Sequence, residues 1–329
     1  MDIDSSQISI VIQGAVVSST KAVVTKLRTL LPKAEIILST WEGQDTSVCL
    51  ADKVVLSKDP GAFVQNRKIQ GHGHWNNTNR QLVSTLAGLR EATKKYTLKT
   101  RSDVYIESNL WLKHFGKYDA DTPPGILRNR VLICNYYTRN PRVFPLPFHG
   151  SDWVFFGDTK DIIDIFNIPL MSGKDTTWFD LHKRGNTLFS DNINRFLPEQ
   201  WIYSSLLKKH MDLNFQCFYD ASAENIHRTE RFFSENTVVL DLDEWGIRFE
   251  KYNPNRYLEH STLIHFREWQ ILYKKYCLQE GGIYWHRYLI KCSLVSLVQG
   301  KLRPLATKIL GLFRVKEIIR RIIIRSGVR

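Results

Sequence analysis

The segment Tyr96-Thr97-Leu98-Lys99-Thr100-Arg101-Ser102-Asp103 constrains this chain more than any other. An apolar, β-prone run ends abruptly in two cations, a hydroxyl and a carboxylate. Open α/β sheets place their ligand chemistry at the carboxyl tips of buried strands, so a strand here predicts a site at its end. Lys99 and Arg101 are of the types that meet a diphosphate, and Asp103 is of a type that holds a divalent cation against the same phosphates. A strand running into a solvated turn is the plainer reading of these eight residues, and the flanking sequence weighs against it.

Ile8 to Ile12 is a short β-branched run that ends at Gln13-Gly14. A helix is expected over about 20–31, with Ser19 or Thr20 as N-cap and Pro32 beyond its end. Glu35 to Thr40 reads as a second strand, ending in Trp41-Glu42-Gly43, and Lys53 to Ser57 as a third, ending in the turn Asp59-Pro60-Gly61. A helix from about Asn77 to Thr93 carries Leu82, Leu86 and Leu89 at helical spacing and leads directly into the Tyr96 strand. This order predicts an α/β fold with an open, mostly parallel sheet flanked by helices. The middle third is less regular. Trp153 to Gly157 reads as a strand, a short helix follows Asp158, and Pro198 opens a helix to about Lys209. After residue 210 the chain reads as short mixed strands, including Thr237 to Leu240, followed by helical segments around 261–280 and 283–298.

Three strand ends would then share one edge: Gln13-Gly14, Thr40-Trp41 and Lys99 to Asp103. Gly14 adds no Cβ and lets backbone approach a ligand, while Trp41 is placed either to cover a base or to pack. Asn79 and Arg80 fall in the first turn of their helix. A cation there opposes the helix dipole, and a bound anion would remove the conflict. Glu199, just after Pro198, and Asp152, at the mouth of the Trp153 strand, are candidate general bases. The chain contains no Gly-Lys-Ser/Thr phosphate loop, no Gly-x-Gly-x-x-Gly after the first strand and no Gly-x-Ser-x-Gly elbow, which disfavours P-loop, dinucleotide and serine-hydrolase chemistry. His72, His74, His149 and His265 lack metal-ligand spacing.

The 329 residues carry a net charge of +13, which implies anionic partners. Residues 301–329 hold nine cations against the single acid Glu317, a net of +8, interleaved with Leu305, Ile309, Leu312, Phe313, Ile319, Ile322 and Ile323. That composition predicts a basic amphipathic tail lying on an anionic bilayer. The rest of the chain lacks the aromatic-interleaved basic stripe of a nucleic-acid binder. Five widely spaced cysteines without CxxC pairing point to a reducing compartment. With no signal peptide visible and no apolar run of about 18–20 residues, the expectation is a cytoplasmic protein peripherally associated with the inner membrane.

Ile8 to Gly14, Glu35 to Gly43, Asp59-Pro60-Gly61, Asn77-Thr78-Asn79-Arg80-Gln81, Lys99 to Asp103 and Pro198-Glu199-Gln200, in this order, resemble the WavE family over roughly residues 5–270. Its members are bacterial proteins of lipopolysaccharide and surface-polysaccharide synthesis, regarded as glycosyltransferases. The resemblance implies a GT-A-like (Rossmann-like) domain over 1–280, with a nucleotide-sugar half to about 115 and an acceptor half from about 116; the helical basic segment expected over 281–329 lies outside the resemblance. It implies a nucleotide-sugar donor held by Gln13, Gly14, Thr40, Trp41, Asn79, Arg80, Lys99, Arg101 and Asp103, and a lipid-linked or polysaccharide acceptor. Where such folds carry Asp-x-Asp, this chain offers Arg101-Ser102-Asp103, one carboxylate in place of two. Asp103 is thus the expected ligand for Mn²⁺ or Mg²⁺, and Lys99 with Arg101 the alternative means of neutralising a leaving phosphate. Glu199 loosely matches the base of inverting enzymes. A sugar-phosphate transferase and a non-catalytic assembly scaffold are the competing readings.

Overall fold

The computed structural model describes residues 3–47, 49–66, 75–119, 125–185, 191–248 and 260–298. The basic tail expected over residues 301–329, with His72 and His74, lies outside the described residues.

Seven strands form the main sheet: β1 (Ile8–Gln13), β2 (Glu35–Trp41), β3 (Lys53–Ser57), β4 (Tyr96–Arg101), β5 (Val131–Cys134), β6 (Phe155–Asp158) and β7 (Thr237–Leu240). The spatial order is β7-β5-β6-β4-β1-β2-β3. Neighbours pair in parallel except at β6, which runs antiparallel to both β4 and β5. Every residue of β1 is buried, as is usual for a central parallel strand covered on both faces. β3 alternates half-buried and exposed positions, which suits its place at the sheet edge.

Among the described residues, the helices of eight residues or more are α1 (Thr20–Leu30), α2 (Thr78–Arg90), α3 (Thr159–Phe166), α4 (Pro198–His210), α5 (Ala223–Asn236), α6 (Phe266–Tyr276) and α7 (Gly282–Leu297). α2 crosses β1, β2 and β3 and packs on α3 and α4, while α5 and α6 pair with each other beside β7. One continuous core runs from Ile8 and Ile10 through Trp111, Phe156 and Trp245 to Trp269, and it takes in Tyr288 and Cys292 of α7. A small satellite cluster of Leu146, Leu197 and Phe218 lies apart from it.

The winding places the site. From β1 the chain moves outward to β2 and β3, then α2 carries it back to the opposite side of β1, where β4 pairs in register (Val11 with Lys99, Gln13 with Arg101). The order therefore reverses between β1 and β4, and the carboxyl ends of those two strands diverge into a crevice.

Candidate functional site

A cleft of about 610 Å³ opens at that crevice. The loops that build it are stitched together by short-range bonds. The Ser102 amide donates to the Gln13 carbonyl at 3.0 Å, and the Ser102 hydroxyl donates to the Ala15 carbonyl at 2.7 Å. Gly14 sits at φ +115°, and a Cβ there would stand 3.3 Å from the Ser102 hydroxyl, so glycine serves both conformation and space. The Gln13 side chain accepts from Ser84 on α2 at 2.9 Å. Trp41, Trp75 and Tyr137 add aromatic surface to the walls.

Two arginines reach the cleft, and each already holds a carboxylate. Arg101 binds Asp103 through two contacts of 2.8 Å while lying 4.3 Å over the Trp153 ring. Arg80 binds Asp59 through contacts of 2.8 and 2.7 Å, and this pairing holds the Asp59 carboxyl below its usual range. The anion expected near the first turn of α2 is thus supplied by the chain's own Asp-Pro-Gly turn. Asp59 was legible only as a turn residue, because nothing local says which loop folds back onto a helix start.

Three expected ligand contacts fall elsewhere. Lys99 does not reach the cleft: it is fully buried, with its ammonium donating to the Asp152 carbonyl at 2.5 Å and lying over the rings of Phe155 and Phe166. It shares a strand face with Arg101 but stands two residues deeper, about 7 Å below the sheet edge. Burial pulls its ammonium down to about 7. Thr40 is buried in the sheet one residue below Trp41. Asn79 faces inward and clips the Met171 backbone, its amide donating to the carbonyl at 3.0 Å and its oxygen accepting from the amide at 2.8 Å. Gln13, Gly14, Trp41, Arg80, Arg101, Asp103, Asp152 and Glu199 all line the cleft.

Asp152 is held from behind. Its carbonyl accepts from both Lys99 and Gln81, and its side-chain oxygen Oδ1 is buried with no hydrogen-bond partner. An unpaired buried carboxylate oxygen is costly, and a bound water, ion or ligand is what satisfies such an atom. Glu199 stands in the first turn of α4, with His149 Nε2 3.4 Å from its Oε2. His149 Nδ1 donates to the Tyr137 carbonyl at 2.8 Å, which fixes the tautomer and leaves Nε2 bare. Burial holds this imidazole neutral, its value down to about 3. Burial and the nearby Asp152 push Glu199 up to about 8, so the proton between the two groups resides on the carboxyl.

The loops around this pair are strained into place. Tyr137 and Phe148 occupy the left-handed region at φ +67° and +55°, a rare state for aromatic residues that costs roughly 1–3 kcal/mol. The two loops pair just beyond these residues, the Arg139 amide donating to the His149 carbonyl at 2.8 Å. Gly150 lets the turn approach the core, since a Cβ would stand 2.6 Å from the Tyr203 ring. His149 lacks metal-ligand spacing in the sequence, and its role as the partner of Glu199 depends on loops that meet only in the folded chain.

Among the described residues no three His, Cys, Asp or Glu side chains cluster as a metal cage. The cleft nevertheless carries four acids (Asp59, Asp103, Asp152 and Glu199) against two arginines. With Asp152 Oδ1 unpartnered, that donor set fits a divalent cation held by one or two carboxylates and by oxygens of an incoming ligand.

These features define an α/β protein with a polar cleft at a strand-order reversal, lined by paired arginines and two further acids. Residues 8–301 match the family described as WavE lipopolysaccharide synthesis, and the chain belongs to it. A comparison with curated proteins found no match.

Proposed function

We propose that this protein is a nucleotide-sugar-dependent glycosyltransferase of lipopolysaccharide synthesis, GT-A-like and inverting. The observation that carries the reading is the position of Glu199, a carboxyl raised towards neutrality on the wall of a cleft whose arginines suit a diphosphate. The donor lies over the ends of β1 and β4. Arg101 and Arg80 turn from Asp103 and Asp59 to the diphosphate, and Trp41 flanks the base. Ionised Glu199 takes the proton of an acceptor hydroxyl. The acceptor oxygen bonds to the anomeric carbon as the carbon–phosphate oxygen bond breaks, and its electron pair leaves with the nucleoside diphosphate. Asp152, joined by Asp103 once Arg101 has moved, would hold a Mn²⁺ or Mg²⁺ that offsets diphosphate charge.

We place the enzyme peripherally on the inner membrane. α7 exposes Ile283, Ile290, Leu294 and Leu297 along one stripe and contains no acid, while Arg287 and Lys291 are its cations. Among the described residues no helix is long and apolar enough to cross a membrane.

Melting curves against UDP, GDP, CMP, CDP and dTDP, with and without Mn²⁺ or Mg²⁺, test the donor site. A nucleotide at about 100 times its dissociation constant adds roughly 2.7 kcal/mol of stability. One nucleotide class should raise the melting temperature, and Glu199→Gln should keep that shift while losing transfer. A scaffold would show no shift, and its cellular role would survive the substitution.

A further inference from the structure

A second pocket of about 430 Å³ shares Tyr137 and Glu199 with the donor cleft. We infer that this pocket seats the sugar of the acceptor glycan and delivers its hydroxyl to Glu199 from the side opposite the donor. The inference rests on the glycosyltransferase reading and assigns that enzyme's second substrate a place.

Geometry is the first support. An in-line displacement needs the nucleophile and the leaving diphosphate on opposite sides of the anomeric carbon. Glu199 stands on the wall common to both pockets, so a hydroxyl arriving from the second one meets the base before it meets the donor. His149 lines this pocket too, which puts the whole proton-holding pair on the acceptor side.

The lining supplies the chemistry. Asn66 presents a buried amide oxygen Oδ1 with no hydrogen-bond partner, an acceptor suited to a sugar hydroxyl. Tyr137 and Phe144 flank the Arg139 guanidinium, each ring 5.3 Å from it, and all three face the pocket. Aromatic rings stack on the C–H face of a pyranose, while amides and a guanidinium bond its hydroxyls. Arg139 and Asp191 both line the pocket, a mixture of charges that suits a polyhydroxylated ring. The volume is within the range that encloses a small organic ligand.

The probe is the oligosaccharide released from lipopolysaccharide of a host strain deleted for this gene, which accumulates the unmodified acceptor. Asn66→Ala and Phe144→Leu are compared with the full-length parent, with melting curves to establish folding. Each variant should weaken oligosaccharide binding by titration, and raise the acceptor KM, by about tenfold, the worth of one lost hydrogen bond or ring contact. Nucleotide affinity should stay within about twofold. A rise in the donor KM with the acceptor KM unchanged would assign the pocket to the donor, and unchanged oligosaccharide binding in both folded variants would remove it as a subsite. Either result overturns the inference. Because oligosaccharide binding is read without donor, a parent that binds the glycan but no nucleotide would refute the transferase reading and leave the subsite standing.

Discussion

Replacing Glu199 with glutamine copies its protonated form and removes its capacity to ionise. The folded carboxyl titrates near 8, against 4.5 for an ordinary glutamate, so between those values the folded state binds the extra proton. A raised carboxyl contributes stability that is fully present below the unfolded value and is lost as pH rises through the folded one. Wild type should therefore lose melting temperature relative to Glu199→Gln as pH increases from about 5 to 9; parallel curves would refute the raised titration. Transfer should follow the opposite course, kcat/KM climbing to a plateau above about pH 8 as the base form accumulates. For Asp152→Asn the expected loss is the metal-dependent part of any nucleotide-induced melting shift, with the metal-free part retained. At this scale the sequence disclosed residue type better than depth. Glu199, Asp152 and Arg101 reach the cleft, whereas Lys99, of equally suitable chemistry, lies two residues too deep in the same strand.

Among elements, the four-residue turn His149-Gly150-Ser151-Asp152 joins the imidazole and the unpaired acid to the core through one glycine. A methyl at Gly150 meets Tyr203 at 2.6 Å and Phe233 at 2.8 Å, an overpacking worth about 1–3 kcal/mol. Gly150→Ala should lower the melting temperature and also reduce kcat, because both acids ride on the displaced turn or face it. A drop in stability at unchanged kcat would show the turn to be only a packing element. The elements with strong local signals were legible: β1, β2, β3, α2, β4 and α4 stand where periodicity and punctuation place them, to within a few residues. β5 has no counterpart in the sequence pattern, and α5 stands where short mixed strands are expected after residue 210. β5 is only four residues long, and α5 (Ala223–Asn236) carries polar residues even at buried positions such as Thr229, Glu230 and Ser234.

For the whole molecule, binding to anionic vesicles should weaken markedly in the double variant Ile290→Glu/Leu294→Glu, since both side chains are more than half exposed on α7. Co-sedimentation of the full chain with phosphatidylglycerol-containing vesicles measures this, and equal binding of variant and parent would take α7 out of the membrane contact. The α/β class and parallel character were readable because strands alternated with helices over the first hundred residues. The reversal at β6 was not, since pairing partners are set by distant chain rather than by local pattern. That reversed strand has a consequence for anyone dividing the protein. β6 is hydrogen-bonded to β4 on one side and β5 on the other, so it is the seam that joins the early sheet to the late one. A fragment ending near residue 115 would leave the flank of β4 unzipped, baring the amides and carbonyls of Tyr96, Leu98 and their neighbours to any passing strand. The amino-terminal half expressed alone is expected to elute as soluble aggregate rather than as a monomer, and the proposed nucleotide site cannot be borrowed without the chain that follows it.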